Sequence, residues 1–136
     1  MPEDAILALA QEFAVREGFP LTWLNSDAKV FIPAYGDSPE WHEVFQLGVV
    51  RIFVPSPRAL LAMKLNAARP GKDERDVAYL MALTETHTIE DAQELFEGFY
   101  PGDVISVTGL AMVDRVITVG LPDKPIPFEN PFGLGN

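Results

Sequence analysis

The sequence predicts an α+β fold in which a small mixed or antiparallel sheet packs with several helices. Helix start and stop signals around apolar stripes recur along the chain, and short runs of β-branched residues lie between the first helix and the later ones. The 136 residues are 48% hydrophobic, enough for one domain with a core. We expect a single domain over residues 1–120 and a Pro-rich extended tail over residues 121–136.

The first predicted element is an amphipathic helix over residues 3–17, because apolar residues recur there at helical spacing. Gly18 and Pro20 end it. A connecting segment over residues 21–27 follows. Its Trp23 is expected to pack in the core, since large aromatic side chains mostly serve burial.

Three strands are predicted next. Residues 28–32 form a short strand closed by Pro33, and after a polar loop residues 44–46 and 49–54 flank Leu47-Gly48 as a β-hairpin. The run at 49–54 is almost continuously apolar, which is typical of a strand covered on both faces. Within it, Arg51 is the one position that needs water or a partner.

A helix is predicted over residues 57–69, with Ser56 as its N-cap and Pro57 at its first position, ending before Pro70-Gly71. Lys64 lies on its apolar stripe, because the residues three and four positions away on either side are all apolar. Lys64 therefore lies on the side of the helix that is predicted to face the core.

The next helix begins with acidic residues. Asp73 is predicted as its N-cap and Asp76 as its N3 residue, so two carboxylates sit at a helix N-terminus close to Lys64. These segments combine into one unit, consisting of a lysine helix, a tight turn and an Asp-x-x-Asp helix start.

A further helix starts at Thr88, with Asp91 completing a capping box, and ends before Pro101-Gly102. Residues 103–119 favour strand by residue type, but their apolar spacing fits a helical stripe, so we predict a helix. Residues 121–133 contain four prolines and are predicted to be irregular. Their apolar side chains are expected to lie across a surface, either of this chain or of a partner.

The composition and charge of the chain disfavour several classes of function. With 20 acidic and 10 basic residues the net charge is −10, which disfavours general nucleic-acid binding. There is no cysteine, and hence no disulfide or thiolate metal site. We see no secretory signal and no apolar run long enough to span a membrane. The sequence therefore predicts a soluble cytoplasmic protein.

Several known catalytic and metal-binding motifs do not occur in the sequence. The two histidines have no metal-motif spacing, there is no Gly-x-Ser-x-Gly, and no phosphate-binding glycine motif occurs. The candidate site residues are therefore the three cations Lys64, Arg69 and Arg75 with the carboxylates Asp73 and Asp76.

Two interpretations of these residues stay open. In the structural one, Lys64 reaches the helix edge or pairs with an aspartate, while Asp73 merely caps its helix. In the functional one, the three cations face an anionic ligand such as a nucleoside triphosphate, and the aspartates orient them. The spacing alone does not decide between the two.

One stretch of the chain resembles a known family. The pattern is Pro57-x-x-Leu60-Leu61-Ala62-Met63-Lys64-Leu65-x-Ala67-Ala68-Arg69 followed by Asp73-x-x-Asp76-Val77. It resembles the later part of small bacterial nucleotidyltransferase-fold proteins, the relatives of abortive-infection and toxin–antitoxin nucleotidyltransferases, and the similarity extends over residues 3–103. The resemblance implies that Lys64 is the catalytic candidate and handles nucleotide, and that Asp73 and Asp76 form the supporting polar network. With the functional interpretation of the residues, Arg69 and Arg75 join Lys64 as the predicted nucleotide-binding cations.

The sequence also departs from that family. Such enzymes carry a Gly-Ser and an Asp-x-Asp pair on early strands, whose carboxylates hold Mg²⁺ at the nucleotide phosphates. Neither motif occurs here, and the chain begins after the point where the resemblance would place them. No metal ligands are predicted.

The resemblance and this departure together lead us to expect a shortened nucleotidyltransferase-like protein that binds rather than catalyses, in a toxin–antitoxin or phage-defence setting. The alternative is an active nucleotidyltransferase that modifies RNA or protein. It would use Mg²⁺ and a nucleoside triphosphate, with metal carboxylates from a partner or from unconventional residues.

Missing early strands would leave a sheet edge exposed, on the strand at 28–32 or at 49–54. Exposed edges pair with other strands. We therefore expect self-association or a partner protein at this edge. A nucleotide is expected as a further ligand, and no association with a membrane is expected.

Overall fold

The computed structural model describes residues 3–21 and 31–124. Two compact units can be separated, Met1–Ile32 and Pro33–Asn136. The described elements confirm an α+β fold, and none of their helices is long and apolar enough to cross a bilayer. In chain order they are α1 (Glu3–Glu17), β1 (Trp41–Leu47), β2 (Val50–Pro55), α2 (Pro57–Ala67), α3 (Glu74–Leu83), α4 (Ile89–Phe99) and α5 (Val107–Val119).

In the first unit, the predicted helix over residues 3–17 is confirmed as α1. Acidic residues lie in its first turn and Arg16 in its last, which suits the helix dipole. After Gly18, which has a φ of 76°, the ring of Phe19 stacks on that of Phe13 with 5.7 Å between centroids. Trp23 and residues 28–30 of the predicted strand lie outside the described residues, and Phe31 and Ile32 are not in a strand.

The core of the second unit is helical. α2 packs against α3, α4 and α5, and α5 also contacts α3 and α4. Leu61 and Leu65 of α2 are fully buried among Val77, Met81, Leu95, Phe96, Phe99, Met112, Val113 and Val116 from the other three helices. The apolar stripes read from the sequence are therefore the surfaces that these helices bury.

Local capping signals fix where these helices begin. Thr88 and Asp91 form the predicted capping box at the start of α4, and the Ser56 side chain accepts a hydrogen bond from the Ala59 amide at the start of α2. The segment 103–119 contains a helix, as predicted, and Ser106 caps it by accepting from the Gly109 amide at 3.1 Å. A cap and an apolar stripe outweigh the β-branched residue types there.

The β-hairpin is confirmed as an antiparallel pair, with two corrections. β1 continues through Leu47, so the turn is Gly48-Val49 rather than Leu47-Gly48, and Gly48 takes a φ of 59° there. The prediction that the second strand is covered on both faces is wrong for the described chain, since Val50 to Val54 are all exposed. The reason is that α2 to α5 pack on one another, and the described sheet has only two strands.

The loop before the hairpin is attached to the helical core at one close contact. The amide of Asp37 donates to the Gly98 carbonyl at 2.8 Å, and a Cβ on Gly36 would overlap the carbonyl oxygens of Gly98 and Phe99. Further along, the Ser56 amide donates to the Pro39 carbonyl at 2.9 Å, which closes the base of the hairpin. Gly36 is therefore needed for its lack of a side chain.

Gly36→Ala is expected to lower the free energy of unfolding by about 1–3 kcal/mol, because the added methyl group overlaps the end of α4. Hydrogen exchange at the Asp37 amide should also become faster. Urea denaturation and exchange measured by NMR test both effects. Ser38→Ala, in the same exposed loop, is the control and should change stability by less than about 0.5 kcal/mol; equal values for the two variants would contradict the contact.

Candidate functional site

The turn between α2 and α3 returns the chain toward the helix it has just left. α2 ends at Ala67, two residues earlier than predicted, because Ala68 adopts a left-handed conformation with φ 43° and ψ 57°. The amides of Lys72 and Asp73 both donate to the Arg69 carbonyl, at 3.1 and 3.0 Å. This tight turn places the first carboxylate of α3 beside the last turns of α2.

That carboxylate belongs to Asp73, which is fully buried. It accepts four hydrogen bonds: from Lys64 Nζ at 3.1 Å, and from the Arg69 backbone amide, Nε and Nη2 at 3.0, 3.1 and 3.0 Å. Burial by itself would raise the pKa of Asp73, but the hydrogen bonds from Arg69 and Lys64 outweigh it and lower the pKa from 3.8 to about 2. Asp73 is therefore a charged group held entirely by donors of α2 and the following turn.

The sequence expectation that Asp73 caps α3 with its side chain is wrong. Asp73 occupies the N-cap position, but its side chain makes no capping hydrogen bond. Its two oxygens instead accept the four hydrogen bonds from Lys64 and Arg69, which occupy about as many lone-pair sites as a carboxylate has. The residue links two helices instead of capping one.

Lys64 holds both predicted carboxylates. Its ammonium lies 3.1 Å from Asp73 Oδ1 and 3.0 Å from Asp76 Oδ2, and its side chain is only 22% exposed. Burial would lower the pKa of Lys64, but hydrogen bonds to Asp76 and Asp73 reverse this and raise it. The hydrogen bond to Asp73 likewise raises the pKa of Arg69. The predicted grouping of Lys64, Arg69, Asp73 and Asp76 is thus found, as a network in which two cations face two carboxylates.

Arg75 does not join this network. Its guanidinium lies 5.8 Å from the ring centroid of Tyr79, in the same helix. There it lines a groove of about 610 Å³ between the start of α3 and the end of α5, together with Arg115 and Asp114. Four of the five predicted site residues therefore lie together in the network, and Arg75 lies apart from them at the groove.

An ion pair between Arg115 and Glu74 joins α5 to α3 beside this groove. Neither residue is among the candidates that the sequence indicates, since they are 41 positions apart and belong to different helices. Only the packing of α5 on α3 brings them together.

Magnesium, which the resemblance implies for an active enzyme, does not fit the carboxylates of the network. Both oxygens of Asp73 already accept hydrogen bonds, and Asp76 holds Lys64. Among residues 3–21 and 31–124, no group of three or more His, Cys, Asp or Glu could hold a metal ion. What the network can do chemically is fix α2 to α3 and present an ion pair to solvent at its outer edge.

Comparison with known protein families, with curated proteins and with solved structures finds no match to this chain. Two features of the second unit's described residues bear on function, the buried Lys64 network and the exposed hairpin.

Replacing Asp73 by alanine is expected to reduce the free energy of unfolding by about 3 kcal/mol, because two cations lose their buried acceptor. Asp76→Ala is the matched control. It removes a half-exposed carboxylate from the same lysine and should cost less than about 1 kcal/mol. Urea denaturation of the three proteins measures the difference; a cost at Asp73 no larger than at Asp76 would show that the buried network contributes little.

The effect of Asp73 on stability should depend on pH. The pKa of Asp73 is about 2 in the folded chain, below the ordinary value of 3.8. The ionised carboxylate therefore stabilises the fold at pH values above the pKa that it has in the unfolded chain. The difference in unfolding free energy between wild type and Asp73→Asn should be constant above about pH 5 and shrink between about pH 4 and 2. Other carboxylates titrate in both proteins, so the difference isolates Asp73. A difference that stays constant down to pH 2 would contradict the lowered pKa.

Proposed function

We propose that this chain is a nucleotidyltransferase-like protein that acts by binding, and that its hairpin is the binding element. The observation that carries the proposal is the exposure of apolar side chains on β1 and β2, including Leu47 at 66%, Val50 at 49% and Ile52 at 47%. Contiguous exposed apolar patches mark interaction sites in soluble proteins. Within the described chain β1 and β2 pair only with each other, which leaves their outer edges to another strand, from a second copy or a partner protein.

The Lys64 network supports binding over catalysis. In the proposed role its cations are engaged in holding α2 to α3, since Arg69 and Lys64 together donate four hydrogen bonds to Asp73. The sequence has no Asp-x-Asp pair that would hold Mg²⁺ against nucleotide phosphates. The resemblance to toxin–antitoxin and abortive-infection nucleotidyltransferases supports a setting in such a system.

An active nucleotidyltransferase that modifies RNA or protein is the second candidate, and one observation favours it. The outer edge of the network reaches solvent, since the side chains of Arg69 and Asp76 are each 56% exposed. A phosphate could replace Asp76 as a partner of Lys64 there, while Arg69 offers a second cation. In this case the metal carboxylates would come from a partner or from unconventional residues.

Incubating the protein with Mg²⁺, labelled nucleoside triphosphates and candidate RNA and protein acceptors distinguishes the two candidates. We expect no incorporation of label above background, and no difference between wild type and Lys64→Ala. Lys72→Ala is the control, because it removes an exposed lysine from the adjoining turn. Incorporation that is abolished by Lys64→Ala but not by Lys72→Ala would reject binding as the sole function.

A further inference from the structure

The groove between the start of α3 and the end of α5 has the size and lining of a small-molecule site. Its volume of about 610 Å³ lies within the roughly 300–1,000 Å³ that such sites span. Buried Val116 and half-buried Ala78 form its apolar floor, and exposed Val119 lies at its rim. Small-molecule sites combine an apolar lining of this kind with a few polar groups that orient the ligand.

Two of the four charged residues that line the groove are paired with each other. Arg115 of α5 binds Glu74 of α3, so the charges of this pair compensate each other between the two helices. Neither residue therefore needs an opposite charge from a ligand.

The other two charged residues of the lining are Arg75 of α3 and Asp114 of α5. Within residues 3–21 and 31–124, their side chains form no ion pair and no hydrogen bond, although Arg75 contacts the ring of Tyr79. A guanidinium suits a carboxylate, and a carboxylate accepts hydrogen bonds from an ammonium. The groove thus offers a ligand one cation and one anion, each on a different helix.

We propose that the groove binds a small zwitterion with an apolar body, of which a free apolar amino acid is the simplest example. The carboxylate of the ligand pairs with Arg75, its ammonium pairs with Asp114, and its apolar side chain covers Val116 and Ala78. This site goes beyond the binding function proposed for the hairpin, because the residues that line the groove lie in α3, in α5 and directly beside them.

The balance of charge in the groove favours a zwitterion over a simple anion or cation. Two arginines and two carboxylates line it, so their formal charges cancel. A ligand with a single charge would pair with one of the two unpaired groups and lie near the other, which has the same sign as the ligand. The net charge of −10 over the whole chain further disfavours an anion. A zwitterion meets an opposite charge at both groups.

Titration of the isotope-labelled full chain with leucine, followed by NMR, tests the site. We expect saturable shifts at the amides of Gly71, Ala78 and Gly120, with a dissociation constant on the order of 1 mM for so small a ligand. N-acetyl-leucine lacks the ammonium and leucinamide lacks the carboxylate, so each should bind about tenfold more weakly. No shifts with leucine, or a derivative that binds as well as leucine, would overturn the proposal.

A short apolar peptide carries the same chemistry, because its two ends are an ammonium and a carboxylate. The dipeptide leucyl-leucine, which holds these groups further apart, distinguishes the two sources in the same titration. Tighter binding than that of leucine would assign the groove to short peptides, and weaker binding would assign it to free amino acids. In both cases the proposal requires that acetylation of the ammonium weakens binding.

Four variants test the residues themselves, and all four positions are exposed. Arg75→Gln and Asp114→Asn should each weaken leucine binding about tenfold, because each removes a charge that the ligand meets. Arg58→Gln and Asp103→Asn are the matched controls. They remove the same charges away from the groove and should change the dissociation constant by less than about twofold. Equal effects in a groove variant and its control would contradict the assigned contacts.

Discussion

The arrangement of the second unit depends on the hydrogen bonds that the buried carboxylate of Asp73 accepts. A charged group fully removed from water is tolerated only when its lone pairs are occupied, and here Lys64 and Arg69 occupy them with four hydrogen bonds. Because the donors come from α2 and its turn while the carboxylate is at the N-cap of α3, these helices are joined by polar contacts as well as by packing. The apolar contacts of Leu65 with α4 and α5 extend from that pair.

The same interaction limits what the cations can do. Nucleotidyl transfer needs cations free to stabilise phosphate charge and carboxylates free to hold a metal. In this chain Lys64 binds Asp73 and Asp76, so the charges of the network compensate each other internally. The network is thus better suited to joining helices than to holding a metal, although its exposed edge at Arg69 still faces solvent.

The β-hairpin is not part of the helical core. The helical core buries its apolar stripes without using the strands, and the hairpin is connected to it through the Gly36 contact and the bond from Ser56 to Pro39. Its side chains therefore remain available to another surface. A ribbon of two strands is at best marginally stable alone in water, so covering its exposed apolar side chains would stabilise the hairpin itself.

The sequence by itself determined the local features, since these depend on neighbouring residues. The caps at Ser56 and Thr88, the helical stripe within residues 103–119 and the hairpin all follow from short-range rules, as does the grouping of Lys64 with Asp73 and Asp76. Tertiary structure alone decided that Asp73 turns away from its helix, that Arg75 faces α5 and that β2 is exposed. The physical reason is that side-chain orientation and burial depend on which elements pack against one another, and one residue pattern is compatible with several packings.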